Sequence, residues 1–142
     1  MTILGRWAVW ALATGCATAI GVGVHAAARS RVALSQTLPS MEGGRVKASV
    51  VEVTYEPGES SAPHSHPCPV IVYIVEGAIR TKVSDEREQT YGVGESFYEA
   101  ANGAHLVSAN ASDKAPAKFV AFFVCDHDTP LSVEMPKGRG VN

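Results

Sequence analysis

A short segment that contains two histidines, residues 57–67, constrains the fold of this chain more than any other part of its sequence. Pro63 and Pro67 flank the histidines, and proline disfavours helix at the residue before it and cannot donate to a strand ladder. Side chains in an extended strand alternate between two faces, so His64 and His66 point the same way. The segment therefore predicts a strand edge that presents two imidazoles in a chelating arrangement.

The N-terminus has the composition of a targeting segment. Arg6 precedes an uncharged stretch, residues 7–24, and the run Ala26-Ala27-Ala28 follows it. These are the three regions of a secretory signal, which predicts cleavage after Ala28 and a periplasmic or secreted protein. The stretch also approaches the length that spans a bilayer, so an uncleaved membrane anchor over residues 7–24 is the alternative.

The charge pattern argues against nucleic acid as a partner. The chain has a formal net charge of −2 at pH 7. No basic stripe or basic aromatic-rich segment offers a binding surface for a phosphate backbone. A membrane is an expected partner only if the leader is not cleaved.

The rest of the chain has the pattern of a β protein, and no segment after Val24 shows helical periodicity. Apolar residues in 45–55 switch parity, which predicts a β-bulge or a strand buried on both faces. The continuous β-branched and aromatic run in residues 70–75 predicts a second strand buried on both faces. Gly77 after it predicts a hairpin turn. Further short strands separated by glycine turns predict an all-β sandwich or barrel.

These patterns divide the chain into four parts. They are a signal peptide or anchor over residues 1–28, an N-terminal arm over 29–44, a barrel over 45–131 and an irregular tail over 132–142.

A third histidine, His105, begins a later strand, directly after a glycine turn. The spacing of two sets of residues carries a family resemblance: Gly58, His64, His66 and Gly77 in the first, and Gly94, Gly103, His105 and Asn110 in the second. With this spacing, residues 45–125 resemble the two paired motifs of the cupin superfamily, and in particular small single-domain secreted cupins. The resemblance implies an all-β double-stranded β-helix, the jelly-roll cupin barrel, whose metal ligands face its lumen.

One ligand of the cupin pattern is missing. The pattern places a glutamate where this chain has Val70. The remaining set, His64, His66 and His105, resembles that of the three-histidine cupins, which include thiol and diketone dioxygenases. The resemblance thus implies one divalent metal ion, with iron, zinc, manganese, nickel and copper all open as its identity.

Several other residues are candidates for the site. Glu99 is a candidate fourth ligand or acid/base group, or else a surface or capping glutamate in the strand before the turn. Four apolar and aromatic residues are candidates to line a pocket that suits an uncharged organic molecule: Val70, Val72, Tyr73 and Tyr98. His127, between two aspartates, is either a weak metal ligand or a solvated strand end.

Two cysteines remain after cleavage of the leader, Cys68 and Cys125. An oxidising compartment permits a disulfide between them. Alternatively Cys125 is a small core residue and Cys68 a thiol near the metal.

The resemblance leaves two function classes open. The first is a metal-dependent oxygenase or isomerase that acts on a small molecule in the lumen, and the second is a module that binds a small ligand or metal without turnover. Leu34 and Leu38 lie on one parity of the arm, and cupins often exchange such arms, so we expect a homodimer.

Overall fold

The computed structural model describes residues 30–135, so the predicted leader lies outside the described part of the chain. Within these residues there are nine strands and no helix. No helix that could cross a membrane is found there either. The strands are β1 (Lys47–Tyr55), β2 (His64–Ser65), β3 (Val70–Glu76), β4 (Ala78–Val83), β5 (Gln89–Gly92), β6 (Ser96–Glu99), β7 (Ala104–Asn110), β8 (Ala117–Cys125) and β9 (Val133–Glu134).

The strands form two antiparallel sheets, with the orders β1-β8-β3-β6 and β5-β4-β7-β2-β9. Strands β1, β3, β4, β6 and β8 each contribute apolar side chains from their inner face to a shared core, as the period-two pattern requires. This core includes Val70, Val72, Ile74, Ile79, Phe97, Ala117, Phe119, Ala121 and Phe123. The expected all-β jelly-roll barrel is confirmed.

Strand β1 has neither the bulge nor the two buried faces that its parity switch predicted. It pairs with β8 without a register shift, from Lys47 opposite Cys125 to Tyr55 opposite Ala117. Val50 on its outer face is 60% exposed, whereas Tyr55 on its inner face is buried. The prediction was wrong because apolar residues occupy an exposed sheet face here, and composition alone cannot distinguish the two faces.

The predictions for the stretch 70–77 also need correction. Strand β3 buries one face, while Tyr73 and Val75 on the other are each 39% exposed. Gly77 does not make a hairpin, because β3 lies in one sheet and β4 in the other. It carries the chain between the sheets with a positive φ of 65°. A Cβ atom on Gly77 would lie 2.7 Å from the carbonyl oxygen of Pro116, so both the space and the conformation require glycine.

Register shifts do occur in other strands, in β3 at Val75 and in β7, where a β-bulge forms. Lys82 pairs with Val107 and Val83 pairs with His105, which leaves Leu106 as an extra residue. The bulge changes the parity of β7, so that both His105 and Ser108 are buried although they are three positions apart.

The segments at both ends pack on the barrel. The described part of the arm has no strand, and the Arg31 guanidinium donates to the carbonyl of Gly94. In the stretch predicted to be irregular, β9 pairs with β2 and places Glu134 opposite His64. A strand of two residues is too short to show periodicity, so a sequence pattern cannot predict it.

A disulfide joins Cys68, which follows β2, to Cys125 at the end of β8. Both residues are buried. The disulfide fastens the loop after the two histidines to the opposite sheet. The sequence allowed either a disulfide or two separate thiols, and the structure has the disulfide.

We expect the Cys68→Ala/Cys125→Ala variant to be less stable than the wild type. A crosslink between residues separated by 57 positions restricts the unfolded chain, and the chain-entropy model gives a loss of about 4 kcal/mol in the free energy of unfolding. Urea titration measures it. A reductant is expected to bring the wild type to the stability of the variant and to leave the variant unchanged. Equal stability of the two proteins under oxidising conditions would contradict the disulfide.

Candidate metal centre

Three histidines from the middle of one sheet converge inside the barrel. His64 on β2 lies directly opposite His105 on β7, and His66 follows β2 by one residue. The ring centroids of His64 and His66 are 4.7 Å apart, and those of His64 and His105 are 4.9 Å apart. One nitrogen of each ring lies within 4.8 Å of the other two, an arrangement that could hold a metal ion.

Each imidazole is oriented by a hydrogen bond on the side away from its neighbours. His64 Nδ1 donates to the carbonyl oxygen of Ala62 at 2.8 Å, and His66 Nδ1 donates to that of Leu131 at 2.6 Å. A carbonyl can only accept, so the proton sits on Nδ1 in both rings and Nε2 keeps a free lone pair. Such orientation of the ring is typical of metal-ligating histidines.

The two free lone pairs face each other. His64 Nε2 and His66 Nε2 are 3.2 Å apart. Burial lowers the pKa of His64, and the neighbouring His105 and His66 lower it further, which favours the neutral ring. Two acceptors this close repel each other unless a cation lies between them.

His105 adds a third ring nitrogen, Nδ1, to the cluster. Its Nε2 is hydrogen-bonded to Thr81 Oγ1 at 2.8 Å. Its Nδ1 lies 3.0 Å from Glu99 Oε2, yet it has no hydrogen bond, so the carboxylate is close to this nitrogen but poorly aligned with it. Among the described residues, Nδ1 is the single buried side-chain nitrogen or oxygen without a hydrogen-bond partner. A buried polar atom without a partner is costly, and a metal ion would satisfy this one.

This donor set fits a divalent transition metal. Nitrogen ligands lie about 2.1 Å from such an ion, so two neighbouring ligands of one ion are about 3.0 to 3.4 Å apart. The 3.2 Å between His64 Nε2 and His66 Nε2 falls in this range. Glu99 Oε2, at 3.4 Å from His66 Nε2, adds the oxygen donor.

Glu99 lies at the end of β6, directly opposite Val70 on β3. It is only 4% exposed, so it is not the surface or capping glutamate that the sequence allowed. The neighbouring strand thus supplies a carboxylate at the place where the cupin pattern would have put one in β3. The register between two strands decides this placement, and motif spacing within one strand cannot reveal it.

The histidines open into a cavity of about 440 Å³ inside the barrel, a size that suits a small organic ligand. Its walls are mainly apolar, with Val51, Val53, Phe119, Ala121 and Phe123 among the lining residues. A groove of similar volume, about 470 Å³, runs along β7 near Arg80 and Asp113, but it contains none of the three histidines. The chemistry therefore belongs to the inner cavity.

The structure places the candidate lining residues in different environments. Val70 lines the cavity, whereas Val72 is buried in the core and is not among the lining residues. Tyr73 lies on the outer face of β3, and Tyr98 lines a separate groove with Leu34. His127 is exposed and lies 2.7 Å from a carboxylate oxygen of Asp126, outside the histidine cluster.

Sequence reasoning missed the groups that orient the imidazoles. The parity of Thr81, two residues after the buried Ile79, was the available signal for its inward position. The carbonyls of Ala62 and Leu131 gave no signal, because a backbone acceptor carries no side-chain identity.

The model of the cupin domain family matches residues 51–123. No curated protein matches significantly. Similar structures include the DMSP lyase DddQ from Ruegeria pomeroyi, with a TM-score of 0.57, 18% identity and coverage of 65% of this chain and 45% of that chain.

Two further structures have comparable scores. An oxalate oxidase in complex with glycolate has a TM-score of 0.55 and 18% identity over 70% of this chain and 60% of that chain. The oxalate decarboxylase of Bacillus subtilis, which has Mn(II) centres, has a TM-score of 0.53 and 26% identity over 70% of this chain and 30% of that chain. The chain spans less than two thirds of the length of each of these three structures.

We expect Thr81→Val to weaken divalent-metal binding by about 10- to 100-fold, because His105 Nε2 loses the partner that orients the ring. Competition with a chromophoric chelator at fixed pH measures the affinity. Thr90→Val, an exposed position on β5, is the matched control and is expected to leave the affinity unchanged. Equal affinities of wild type and Thr81→Val would show that Thr81 does not support a ligand.

Proposed function

The chain belongs to the cupin domain family, and from that premise we propose that it binds a divalent metal ion through His64, His66 and His105 and acts on a small molecule in its cavity. One observation carries this proposal. One nitrogen from each of the three rings lies within 4.8 Å of the other two at the cavity wall, and each ring is hydrogen-bonded through its other nitrogen. A binding site for a purely apolar ligand would not need this convergence.

We place Glu99 in the site as the fourth ligand. Its Oε2 lies within 3.4 Å of ligating nitrogens of two histidines, and its burial makes an unpaired negative charge unfavourable there. Glu99 also lines the cavity, so a carboxylate oxygen is within reach of a bound molecule and could accept a proton from it. The Glu99→Gln variant distinguishes the fourth-ligand role from the acid/base role.

The proposed reaction class is an oxygenase or isomerase reaction on a small organic molecule. A bound divalent metal would supply Lewis-acid activation of a coordinated oxygen or, for iron, manganese or copper, one-electron chemistry. The protein's own residues hold the ligating rings and place an apolar wall beside the bound molecule. The structures similar to this chain include a DMSP lyase, an oxalate oxidase and an oxalate decarboxylase, which supports the proposal that this protein is an enzyme. The alternative is a module that holds a ligand without turnover.

Metal binding is expected to stabilise the fold, because its ligands come from separate strands. We expect the purified protein to contain about one divalent ion per chain, and a chelator to lower its melting temperature. His66→Ala is expected to lose both the metal and the response to chelator. His127→Ala is the matched control and is expected to retain both.

Elemental analysis and thermal unfolding read out these effects, and the same analysis identifies the metal. Full metal occupancy in a His64→Ala/His66→Ala variant would contradict the site.

Glu99→Gln separates the two roles of Glu99, because loss of a ligand lowers metal affinity, whereas loss of a base preserves metal affinity and lowers turnover. Oxygen consumption and isomerisation across a panel of small molecules distinguish an enzyme from a binding module.

We propose further that the protein is exported and forms a homodimer. Export is supported by the signal-like leader and by the buried disulfide, which needs an oxidising compartment to persist. Self-association is supported by exposed apolar residues on adjacent strands of one sheet face. Val50 on β1 lies opposite Phe122 on β8, and their exposed fractions are 60% and 46%.

Native mass spectrometry of protein isolated from its producing cells tests both proposals. We expect a chain that lacks residues 1–28 and a complex of two such chains. An intact N-terminus found only in membranes would make the chain an anchored protein. A purely monomeric species at micromolar concentration would remove the dimer.

A further inference from the structure

The metal cavity contains a second polar group of side chains, which the proposed function does not use. We propose that Tyr55, Ser61 and Ser108 form a hydroxyl subsite that selects the ligand. The ligand class is an apolar small molecule with a metal-binding group at one end and a neutral hydrogen-bond acceptor, such as a carbonyl oxygen, at the other. This inference rests on the proposed metal site.

The three hydroxyls form one connected chain. Tyr55 Oη is hydrogen-bonded to Ser61 Oγ and, at 2.9 Å, to Ser108 Oγ. Each hydroxyl has one hydrogen, and the two bonds within the chain use two of the three. One hydroxyl hydrogen therefore stays free for an acceptor outside the chain. All three residues line the same cavity as the histidines.

The strand register sets the distance between the two polar ends of the cavity. The Ser61 amide donates to the Ser108 carbonyl at 2.9 Å. Three residues further along the first segment and three residues earlier in β7, His64 lies opposite His105. Three residues of an extended strand span about 10 Å. The bulge at Leu106 turns Ser108 to the side that His105 faces, so one molecule in the cavity can reach both ends.

The space between the two ends has no group that would hold a second charge. Its walls include Val51, Val53, Phe119 and Ala121. No lysine or arginine is among the cavity-lining residues that the structure describes, while Glu99 and Glu134 are both there. A negative group at the hydroxyl end would lose hydration without gaining a cation, so that end of the ligand is expected to be neutral.

A series of hydroxamic acids tests this subsite in the metal-loaded protein. The hydroxamate group binds the metal, and the four probes differ only in what extends from it. They are acetohydroxamic acid, benzohydroxamic acid, 4-acetylbenzohydroxamic acid and 4-carboxybenzohydroxamic acid. Isothermal titration calorimetry gives the Kd of each.

We expect the 4-acetyl probe to bind about fivefold more tightly than benzohydroxamic acid, the gain typical of one hydrogen bond. The 4-carboxy probe is expected to bind more weakly than benzohydroxamic acid. In Tyr55→Phe and in Ser108→Ala the ratio of the 4-acetyl to the unsubstituted Kd is expected to move towards one. Tyr91→Phe, outside the cavity, is the matched control and is expected to keep the wild-type ratio.

The possible results distinguish failure of the hydroxyl subsite from failure of the metal site. Binding of acetohydroxamic acid without any preference for the 4-acetyl probe would overturn the subsite alone. A preference that persists in both Tyr55→Phe and Ser108→Ala would also overturn it, and a lowered melting temperature in these variants would then assign the hydroxyls a structural role. Failure of every probe to bind, acetohydroxamic acid included, would overturn the metal site and the subsite together.

Discussion

The pairing of β2 with β7 is the constraint on which the candidate site depends. β2 has only two residues, His64 and Ser65, and such a short strand has no stable position by itself. Its pairing with the neighbouring strands β7 and β9 sets its position. The same pairing places His64 opposite His105. The tail after β8 adds the Leu131 carbonyl that orients His66. The site is thus assembled from segments that are far apart in the chain, and its geometry exists only in the complete barrel.

Burial of the site makes its polar atoms unfavourable unless they have partners, and it also suits these atoms to binding a cation. Imidazole nitrogens and a carboxylate are held in a largely apolar interior, where unpartnered polar atoms are unfavourable. The disulfide supports this arrangement, because Cys68 follows His66 by two residues and is tied to Cys125 on the opposite sheet. The ring of Phe123, two residues before Cys125, packs edge-on to His66 with centroids 5.2 Å apart. Chemistry and stability therefore depend on the same small region of the barrel.

The cavity has two unlike ends. The histidines and Glu99 form an end suited to a cation, and Tyr55 with its two serine partners forms a neutral hydrogen-bonding end. Apolar side chains separate them. Such a division favours ligands that are polar at both ends and apolar between, and it disfavours dianions. The selectivity of the cavity would come from its walls as much as from the metal.

The sequence by itself determined the all-β class, the inward pair His64 and His66, and the third imidazole His105, because strand alternation and motif spacing are properties of neighbouring residues. It did not determine which sheet each strand joins, so the hairpin turn predicted at Gly77 was wrong. The inward position of Glu99 opposite Val70, the bulge in β7 and the Cys68–Cys125 disulfide were also decided by the tertiary structure. Each of these depends on the register or contact between segments distant in the chain. Such contacts are fixed by the packing of the whole barrel, and no local pattern encodes them.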